Sequence, residues 1–591
     1  KESKPEPRER RPKSDNKSGR RPRRENVTDT AAASNSKEEA PTEEKKEASK
    51  EKSAENQPEK AEKTEQNEKT ERSEKKENKR KKQEYNQNIK DFSVLDSSDN
   101  KLKFKKLSKD RWEIDTKGKN SAVIKYKYYA AELNAGSTYL DQSQLYINPV
   151  NCTLSLIGSE NSSYELEFNL PANFELYSSL EKKEFNKLFA ENFEELVDSP
   201  IIASQSVQSR MLKISEVDFH FCFQGEITID WEQLLDDFKK FISFQINQFG
   251  SFPHSSFHFL FQITPYSAYH GVEHHKSTVI LLGPTYAVFD SLYKELLGVS
   301  SHELYHVWNV KGIRPFDMLP YDYAKENYTE LGYVTEGVTT YMGDRILFES
   351  GVFTKEAYFK ELKTLLLRHF HNDGRLHYSV AASSWDTWID GYGLGAPGRK
   401  VSIYVEGALI AFICDAKIRK ATSHKKSLHD VMKKLSIADG DVKGYDFHSY
   451  KQIIEEISGI DFGSVFDNII YGCQDFTSYL KDAFEVFGWC YAIVPSKKSS
   501  WNYGLKTVVE NNEIKVITVL ENSAAYDSGL VAEDKLIAVN GYVLKDNLDK
   551  WMSNFKNKGI RFTIERRGRL KEIELKDTNE FQYFDYEINT L

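Results

Sequence analysis

Residues 300–311 read S-S-H-E-L-Y-H-V-W-N-V-K and contain the pattern His302-Glu303-x-x-His306. Positions four apart share one face of a helix, so this spacing places both imidazoles where they can bind one Zn²⁺. Glu303 then lies beside the open coordination position, as the general base of a hydrolytic zinc site does. An accidental match on an ordinary helix is the alternative, but histidine is scarce, with 14 in 591 residues.

The third zinc ligand is predicted to be Glu336, in Y-V-T-E-G-V-T-T-Y (333–341). The apolar residues of 334–349 have helical spacing, so Glu336 follows on a second helix. A solvated glutamate favoured by the helix dipole is the plainer interpretation of this position. The histidine pair upstream favours a ligand instead. Three protein ligands leave one position for water, so we expect one catalytic Zn²⁺ per chain.

Composition separates a charged N-terminal segment from a foldable remainder. Residues 1–83 consist almost entirely of Lys, Glu, Arg, Ser, Asn, Gln and Ala. Such a segment cannot bury enough apolar surface to offset its ordering entropy. We predict a disordered solubilising or linking tail, whose Arg clusters could alternatively contact RNA or an anionic surface. The net charge of −8 does not suggest nucleic-acid binding by the folded part.

The five cysteines are dispersed and none has C-x-x-C spacing, which indicates buried thiols rather than a disulfide framework. No apolar run approaches the ~20 residues of a membrane span, and no signal peptide is visible. These features favour the cytoplasm. A chain that starts at Lys1 without Met is also compatible with a processed periplasmic or secreted form.

The remainder predicts a multidomain α+β protein. We expect an N-terminal β domain at 84–228, a mainly helical catalytic domain at 229–482 and a small module of short strands at 483–580. The catalytic domain opens with an amphipathic helix over 230–249, capped by Asp230 and ended by Gly250. The strands predicted for the β domain are 102–104, 112–114, 122–129, 144–147, 153–156, 165–170 and 217–227.

Two further places in the sequence could contribute to a cleft. Between two predicted strands, Gly271 followed by Glu273 can line a cleft. Tyr404 lies where a glycine-rich loop enters a helix and could donate its hydroxyl to an oxyanion. From spacing alone, a core residue with a polar tip is the better interpretation of Tyr404.

Several motifs together resemble the glycyl aminopeptidase family of zinc metallopeptidases, which are gluzincins with a C-terminal PDZ domain. The motifs are H-E-L-Y-H-V-W-N-V-K-G-I-R-P (302–315), E-G-V-T-T-Y (336–341), H-G-V-E-H-H-K-S-T (270–278), V-S-I-Y-V-E-G-A (401–408), V-D-S-P-I (197–201) and the PDZ-like stretch 521–541. The resemblance implies a β-rich N-terminal domain, a thermolysin-like catalytic domain and a PDZ domain.

The resemblance also assigns roles to residues of this sequence. It implies His302, His306 and Glu336 as zinc ligands and Glu303 as general base. Glu273 would hold the free α-amine of the substrate beside Gly271, and Tyr404 would be the oxyanion donor.

The chain departs from the family pattern at two of these motifs. His270 replaces a glycine and would crowd the amine pocket, and Glu406 replaces a lysine near Tyr404.

The expected function is zinc-dependent release of small N-terminal residues, Gly or Ala, from peptides. One alternative is a non-catalytic scaffold that binds peptides through the PDZ domain, and another is an endopeptidase with the same zinc site. In the PDZ module, the backbone N–H groups of Tyr503, Gly504 and Leu505 would receive the carboxylate of a C-terminal peptide ligand. A packing or lid domain with an unused groove is the competing interpretation of that module.

Overall fold

The N-terminal region consists of short antiparallel strands, as expected. The computed structural model describes residues 85–390, 395–436, 443–510, 512–556, 558–578 and 582–591, so the tail predicted over 1–83 lies outside the described residues. The strands pair as β1-β4, β2-β3, β5-β6-β11-β8 and β7-β10-β9. The elements are β1 (Ile89–Leu95), β2 (Phe104–Lys106), β3 (Trp112–Ile114), β4 (Val123–Tyr128), β5 (Tyr139–Leu140), β6 (Gln144–Ile147), β7 (Tyr164–Glu167), β8 (Glu175–Ser178), β9 (Glu181–Glu184), β10 (Lys187–Ala190), α1 (Phe193–Val197) and β11 (Ile201–Ser204).

The strand predicted over residues 153–156 is wrong, because that stretch has no regular structure. It follows a 3₁₀ turn at Pro149–Asn151. Thr153 donates both its backbone N–H and its hydroxyl to the carbonyl of Pro149, at 2.9 and 2.7 Å. Local bonds of this kind compete with a strand ladder.

A five-stranded mixed sheet forms the centre of the catalytic domain. Its order is β12-β13-β14-β16-β15, in which β13, β14 and β16 are parallel and the two outer strands are antiparallel to their neighbours. The sheet therefore continues across the domain boundary predicted at residue 228. The strands are β12 (Gln208–Ile214), β13 (Val217–Gln224), β14 (Ser256–Ile263), β15 (Ala268–Glu273) and β16 (Ser277–Gly283).

Both faces of this sheet are covered, which explains its apolar strands. On one face, Leu260 and Leu281 pack against Tyr146 and Ile202 of the N-terminal region. The other face is lined by aromatic and aliphatic residues such as Phe259, which pack against the helices. The N-terminal region thus lies directly behind the sheet that supports the site.

The helix predicted over 230–249 is confirmed as α2 (Trp231–Phe249). The Asp230 carboxylate accepts the backbone N–H of Gln233 at 3.1 Å, and Gly250 ends the helix with φ 98°. The apolar stripe faces the sheet, and Phe238 stacks edge-on against Phe259 at 5.2 Å.

The other catalytic helices follow the predicted order. They are α3 (Tyr293–Tyr305), α4 (Thr339–Glu349), α5 (Lys355–Phe370), α6 (Val380–Trp385), α7 (Thr387–Asp390), α8 (Ile403–Ala421), α9 (Leu428–Ser436), α10 (Phe447–Ser458), α11 (Gly463–Val465) and α12 (Thr477–Val486). A short parallel pair, β17 (Ile313–Pro315) and β18 (Lys443–Tyr445), joins the segment after α3 to the start of α10.

The C-terminal module is tethered to the catalytic domain at both ends. Strand β19 (Trp489–Pro495) leads into it and β26 (Phe584–Thr590) leaves it, and the two pair antiparallel. Trp489 and Tyr586 from these strands belong to the catalytic core. The module has its own core and contains α13 (Ser499–Asn502), β20 (Leu505–Glu510), β21 (Glu513–Val519), α14 (Ala524–Asp527), β22 (Lys535–Val539), β23 (Tyr542–Val543), α15 (Leu548–Phe555), β24 (Ile560–Arg566) and β25 (Arg569–Leu575).

The described residues all fall in one compact unit. Within that part of the chain, each helix is either too short or too polar to cross a lipid bilayer.

Candidate active site

The two histidines and Glu336 converge as the spacing predicts. The Nε2 atoms of His302 and His306 lie 3.1 Å apart, and Oε2 of Glu336 lies 3.4 and 3.6 Å from them. In a tetrahedral zinc site with bonds of 2.0–2.1 Å, ligand atoms are about 3.3 Å apart. The three atoms therefore fit one zinc ion to within about 0.3 Å of that spacing.

A backbone bond fixes which nitrogen of His306 is available for metal. Its Nδ1 lies 2.8 Å from the carbonyl oxygen of Asn309. A carbonyl can only accept, so Nδ1 carries the proton and Nε2 is left as the metal-binding lone pair. The imidazole of His306 is 1% exposed and is held rigidly in this orientation.

Asn309 also shapes the segment that carries Glu336. Its side-chain amide donates to the carbonyl oxygens of Val334 and Thr335, at 2.8 and 3.3 Å. A side chain inserted into a helix ladder diverts carbonyls from their usual i+4 partners. Residues Tyr333–Val338 are accordingly π-helical before α4 begins, rather than the regular helix predicted over 334–349. One π turn at a functional residue is a recurrent feature of proteins.

Two glycines bring the Glu336 segment against α8. A Cβ added to Gly337 would lie 2.3 Å from Cα of Gly407, so only hydrogen fits at this crossing. Because Gly407 lies one turn after Tyr404, the contact brings the carboxylate of Glu336 and the ring of Tyr404 to the same cleft.

The electric field at the ligand atoms favours a cation. Burial lowers the pKa of His306, but the carboxylates of Glu336 and Glu273 outweigh burial and raise it to about 10. The pKa of Glu336 is well below its usual value, because the two imidazoles outweigh its burial. The carboxyl groups of Glu273, Glu303 and Glu336 lie close to these imidazoles, and a divalent cation bound there would favour their ionised forms.

Glu303 projects from α3 into a space that only Gly271 leaves open. An added Cβ at Gly271 would lie 2.1 Å from Oε1 of Glu303 and 2.9 Å from Cγ2 of Val299. The other carboxylate oxygen of Glu303 is buried and has no hydrogen-bond partner among the described residues. Burial raises the pKa of this carboxyl well above its usual value. A carboxyl whose pKa is raised by burial is better able to accept a proton from a nearby water.

Glu273 is the last residue of β15. It lies two positions after Gly271, and residues two apart in a strand share one face, so both face α3. Within the described ranges, two clusters are compact enough to hold a metal ion: His302 with His306 and Glu336, and Glu273 with Glu303 and His306. In each cluster the ligand atoms lie within 4.8 Å of one another. The second cluster places the predicted amine anchor directly beside the predicted general base.

Tyr404 is not the core residue that spacing alone favoured. Its side chain is 45% exposed, and its ring centroid lies 6.4 Å from that of His302. It is the second residue of α8, whose N-terminus is capped by Ser402. The structure thus places the phenol at the edge of the cleft beside a metal-binding histidine.

Both departures from the family pattern point away from the cleft. Nδ1 of His270 accepts the backbone N–H of Ala135 at 3.3 Å, on the opposite face of β15 from Gly271. Burial lowers the pKa of His270 to about 4, so the ring is neutral and able to accept this bond. The expected crowding of the amine pocket by His270 is therefore wrong. The carboxylate of Glu406 lies 2.8 Å from Nδ1 of buried His369, away from the ring of Tyr404.

Sequence reasoning missed Asp198, which V-D-S-P-I contributes at the end of α1. Its carboxylate receives the Nζ of Lys311 at 3.0 and 3.1 Å, contacts Nδ1 of His274 at 2.9 Å, and accepts the backbone N–H of His275 at 3.0 Å. All of these residues occur in the quoted motifs, and this was the available signal. Asn309 was also missed, although it lies in the quoted stretch W-N-V-K.

The predicted carboxylate loop of the C-terminal module is partly engaged. The N–H of Tyr503 donates to the carbonyl of Ser500 at 3.2 Å, and the N–H of Gly504 donates to that of Trp501 at 3.1 Å. Two of the three predicted donors therefore already bond to carbonyls of α13.

Comparisons with known proteins agree with the motifs. Residues 295–410 match the model of the M61 glycyl aminopeptidase, and residues 81–205 match the model of the peptidase M61 N-terminal domain. The resemblance to this family is confirmed for both domains, and the chain is a peptidase. No curated protein matches the chain.

A solved structure of high similarity shares the fold over most of this chain. A crystal structure of an aminopeptidase N family protein from Idiomarina loihiensis matches with a TM-score of 0.78 at 24% identity, covering 86% of this chain and 90% of that chain. An M1 zinc metallopeptidase mutant from Deinococcus radiodurans bound to a Tyr-Ser-Ala substrate matches with a TM-score of 0.39 at 12% identity, covering 63% of this chain and 81% of that chain.

Proposed function

We propose that this protein is a zinc-dependent aminopeptidase that removes small N-terminal residues, Gly or Ala, from peptides. The observation that carries the proposal is the convergence of His302, His306 and Glu336 next to the buried, unpaired carboxylate oxygen of Glu303. A purely structural zinc site needs no base at this position. The preference for Gly and Ala rests on the family resemblance alone.

The residues divide the reaction between them. When bound by His302, His306 and Glu336, zinc would supply a Lewis acid that polarises the scissile carbonyl and acidifies water. Glu303 would accept the proton of the attacking water and pass it to the leaving amine. Tyr404 would donate its hydroxyl to the oxyanion of the tetrahedral species, since its ring lies beside His302.

Glu273 would give the reaction its exopeptidase character. Its carboxylate lies within 4.8 Å of ligand atoms of Glu303 and His306, so a substrate ammonium bound there would hold the first peptide bond at the base. Free-amine substrates should therefore be cleaved, and N-acetylated ones should not.

The full-length, zinc-loaded chain tests this with a peptide library scored for the position of each cut. Release of single N-terminal residues, abolished by a chelator and restored by zinc, supports the proposal. Cuts at internal bonds of blocked peptides favour an endopeptidase instead. Stoichiometric zinc with no cleavage of any peptide favours a scaffold.

Glu273→Gln sharpens the same test. Loss of one charge-assisted contact to the substrate ammonium should lower kcat/KM for an alanyl anilide about 10- to 100-fold. Zinc content should be unchanged, because Glu273 is outside the His302, His306 and Glu336 cluster. An unchanged kcat/KM for the free-amine substrate would exclude the amine-anchor role.

Peptide docking on the C-terminal module has weaker support. The N–H groups of Tyr503 and Gly504 already donate to backbone carbonyls, and Leu505 begins strand β20, which pairs with β21. The assignment as a PDZ domain stays a prediction.

A further inference from the structure

The carboxylate of Asp198 joins two arms of the active site. One arm is the end of β15, where His274 and His275 follow Glu273 and bind Asp198 through Nδ1 and a backbone N–H. The other is the chain leaving α3, from which Lys311 donates to both oxygens of Asp198 at 3.0 and 3.1 Å. Lys311 and His274 have side chains only 7% and 5% exposed.

The ammonium of Lys311 thus shares its carboxylate partner with His274, the residue that follows Glu273 in the sequence. Nζ of Lys311 and Nδ1 of His274 bind the same oxygen, Oδ1 of Asp198. The negative charge of Glu273 acts on Lys311 and on Tyr321, and it contributes to raising the pKa of both side chains. A buried ammonium without a partner is costly, so Lys311 would need another carboxylate if Asp198 were neutral, and Glu273 is a carboxylate whose charge already acts on it.

The N-terminal region supplies Asp198, the partner of Lys311, from a short acidic helix. Besides Asp198 at its C-terminus, α1 presents Glu195 to Lys276 at 2.7 Å and Glu194 to Arg314 at 3.7 Å. The contacts lie between the N-terminal region and two segments that flank the cleft. Of these three carboxylates, Asp198 is the one that binds His274 and His275, the two residues after Glu273.

We propose that Asp198 is a positioning residue that keeps Lys311 away from Glu273, so that the Glu273 carboxylate stays available to the α-ammonium of a substrate. The inference rests on the proposed aminopeptidase function. It assigns to the N-terminal region a part in selecting free-amine substrates. Neutralising Asp198 would let Lys311 pair with Glu273 and compete with the substrate for the anchor.

The experiment uses the full-length, zinc-loaded chain and compares an alanyl anilide with its N-acetyl counterpart. Asp198→Asn keeps the size of the side chain and an oxygen acceptor but removes the charge. We expect KM for the free-amine substrate to rise about 10- to 100-fold, the size of one lost charge-assisted contact, with unchanged zinc content. Adding Lys311→Met to Asp198→Asn should restore most of the loss, because no ammonium then remains to occupy Glu273.

Lys311→Met alone still tests the positioning role of Asp198 if Asp198→Asn does not fold. It should retain the preference for the free amine, since Glu273 then has no competitor. As a matched control, Asp415→Asn alters another buried aspartate that binds Arg419, Tyr341 and a backbone N–H. That control should lower thermal stability and leave the substrate preference unchanged.

Three results overturn the proposal: an unchanged free-amine KM in Asp198→Asn, a double variant no better than Asp198→Asn, or loss of the preference in Lys311→Met alone. If instead the wild-type chain cleaves no free-amine substrate, the proposed function itself fails. The wild-type measurement therefore separates failure of the function from failure of the positioning role.

Discussion

Gly271 leaves room for the carboxylate of Glu303, and Gly271→Ala tests how much the position of that carboxylate matters. An alanine Cβ would lie 2.1 Å from Oε1 and 2.7 Å from Cδ of Glu303, whereas ordinary contact begins near 3.4 Å. Either the carboxylate or strand β15 must move by roughly 1 Å. A misplacement of about 1 Å in a catalytic group can lower the rate about 100-fold.

We therefore expect Gly271→Ala to lower kcat for a free-amine substrate about 100-fold. Zinc affinity should be unchanged, because the contacts of the added methyl are Glu303 and Val299 rather than His302, His306 or Glu336. The free energy of unfolding should fall by about 1–3 kcal/mol, the usual cost of overpacking. The assay is steady-state kinetics together with zinc analysis and chemical denaturation of the same preparations.

Gly298→Ala is the matched control, since Gly298 lies in the same helix as Glu303. The nearest atom to its added Cβ is Oδ1 of Asp344 at 4.0 Å, so the methyl fits. It should leave kcat unchanged and raise stability by about 0.4–1 kcal/mol. A Gly271→Ala protein with full zinc and wild-type kcat would show that the position of Glu303 does not limit catalysis.

Two other predictions concern Tyr404 and a half-buried histidine pair. Tyr404→Phe should lower kcat about 10²- to 10³-fold, the effect of removing one oxyanion donor, with little change in zinc content or unfolding free energy; a kcat within twofold of wild type would contradict this role. His258, stacked on His220 at 4.4 Å, has its pKa lowered from 6.5 to about 3 by burial and by that neighbour. The stability that a neutral His258 provides is fully present above pH 6.5 and is lost as pH falls towards 3. The unfolding free energy measured by denaturant titration should therefore fall between pH 6.5 and 4, and His258→Phe should reduce that fall by on the order of 1–2 kcal/mol; an equal fall in both proteins would argue against it.

Local sequence rules predicted the parts of the site that depend on local geometry. The spacing of His302 and His306 sets their Nε2 atoms 3.1 Å apart because a helix repeats every 3.6 residues. Helix α2 was placed correctly because Asp230 and Gly250 are strong local signals for helix ends. Glu336 was found because the pair upstream required a third ligand.

Long-range contacts could not be predicted in the same way. Asp198 and Lys311 are 113 residues apart, and a carboxylate in a weak motif gives no indication of its partner. The π turn at Glu336 depends on the amide of Asn309, which lies 25 residues from Val334. Glu406 drew attention as a charge reversal near Tyr404, and only the structure places it against His369. These details depend on which helices and strands pack together, and the periodicity of the sequence does not predict such tertiary contacts.

Zinc binding by His302, His306 and Glu336 is the claim on which the account depends, and equilibrium zinc analysis of wild type and Glu336→Gln tests it most directly. After dialysis against buffered zinc, wild type should hold one ion per chain. Glu336→Gln should remain folded and bind zinc more weakly by at least about tenfold, because a neutral amide replaces the carboxylate that lies 3.4 and 3.6 Å from the two imidazoles. A folded wild-type chain that holds no zinc, or equal zinc affinity in the two proteins, would contradict the account.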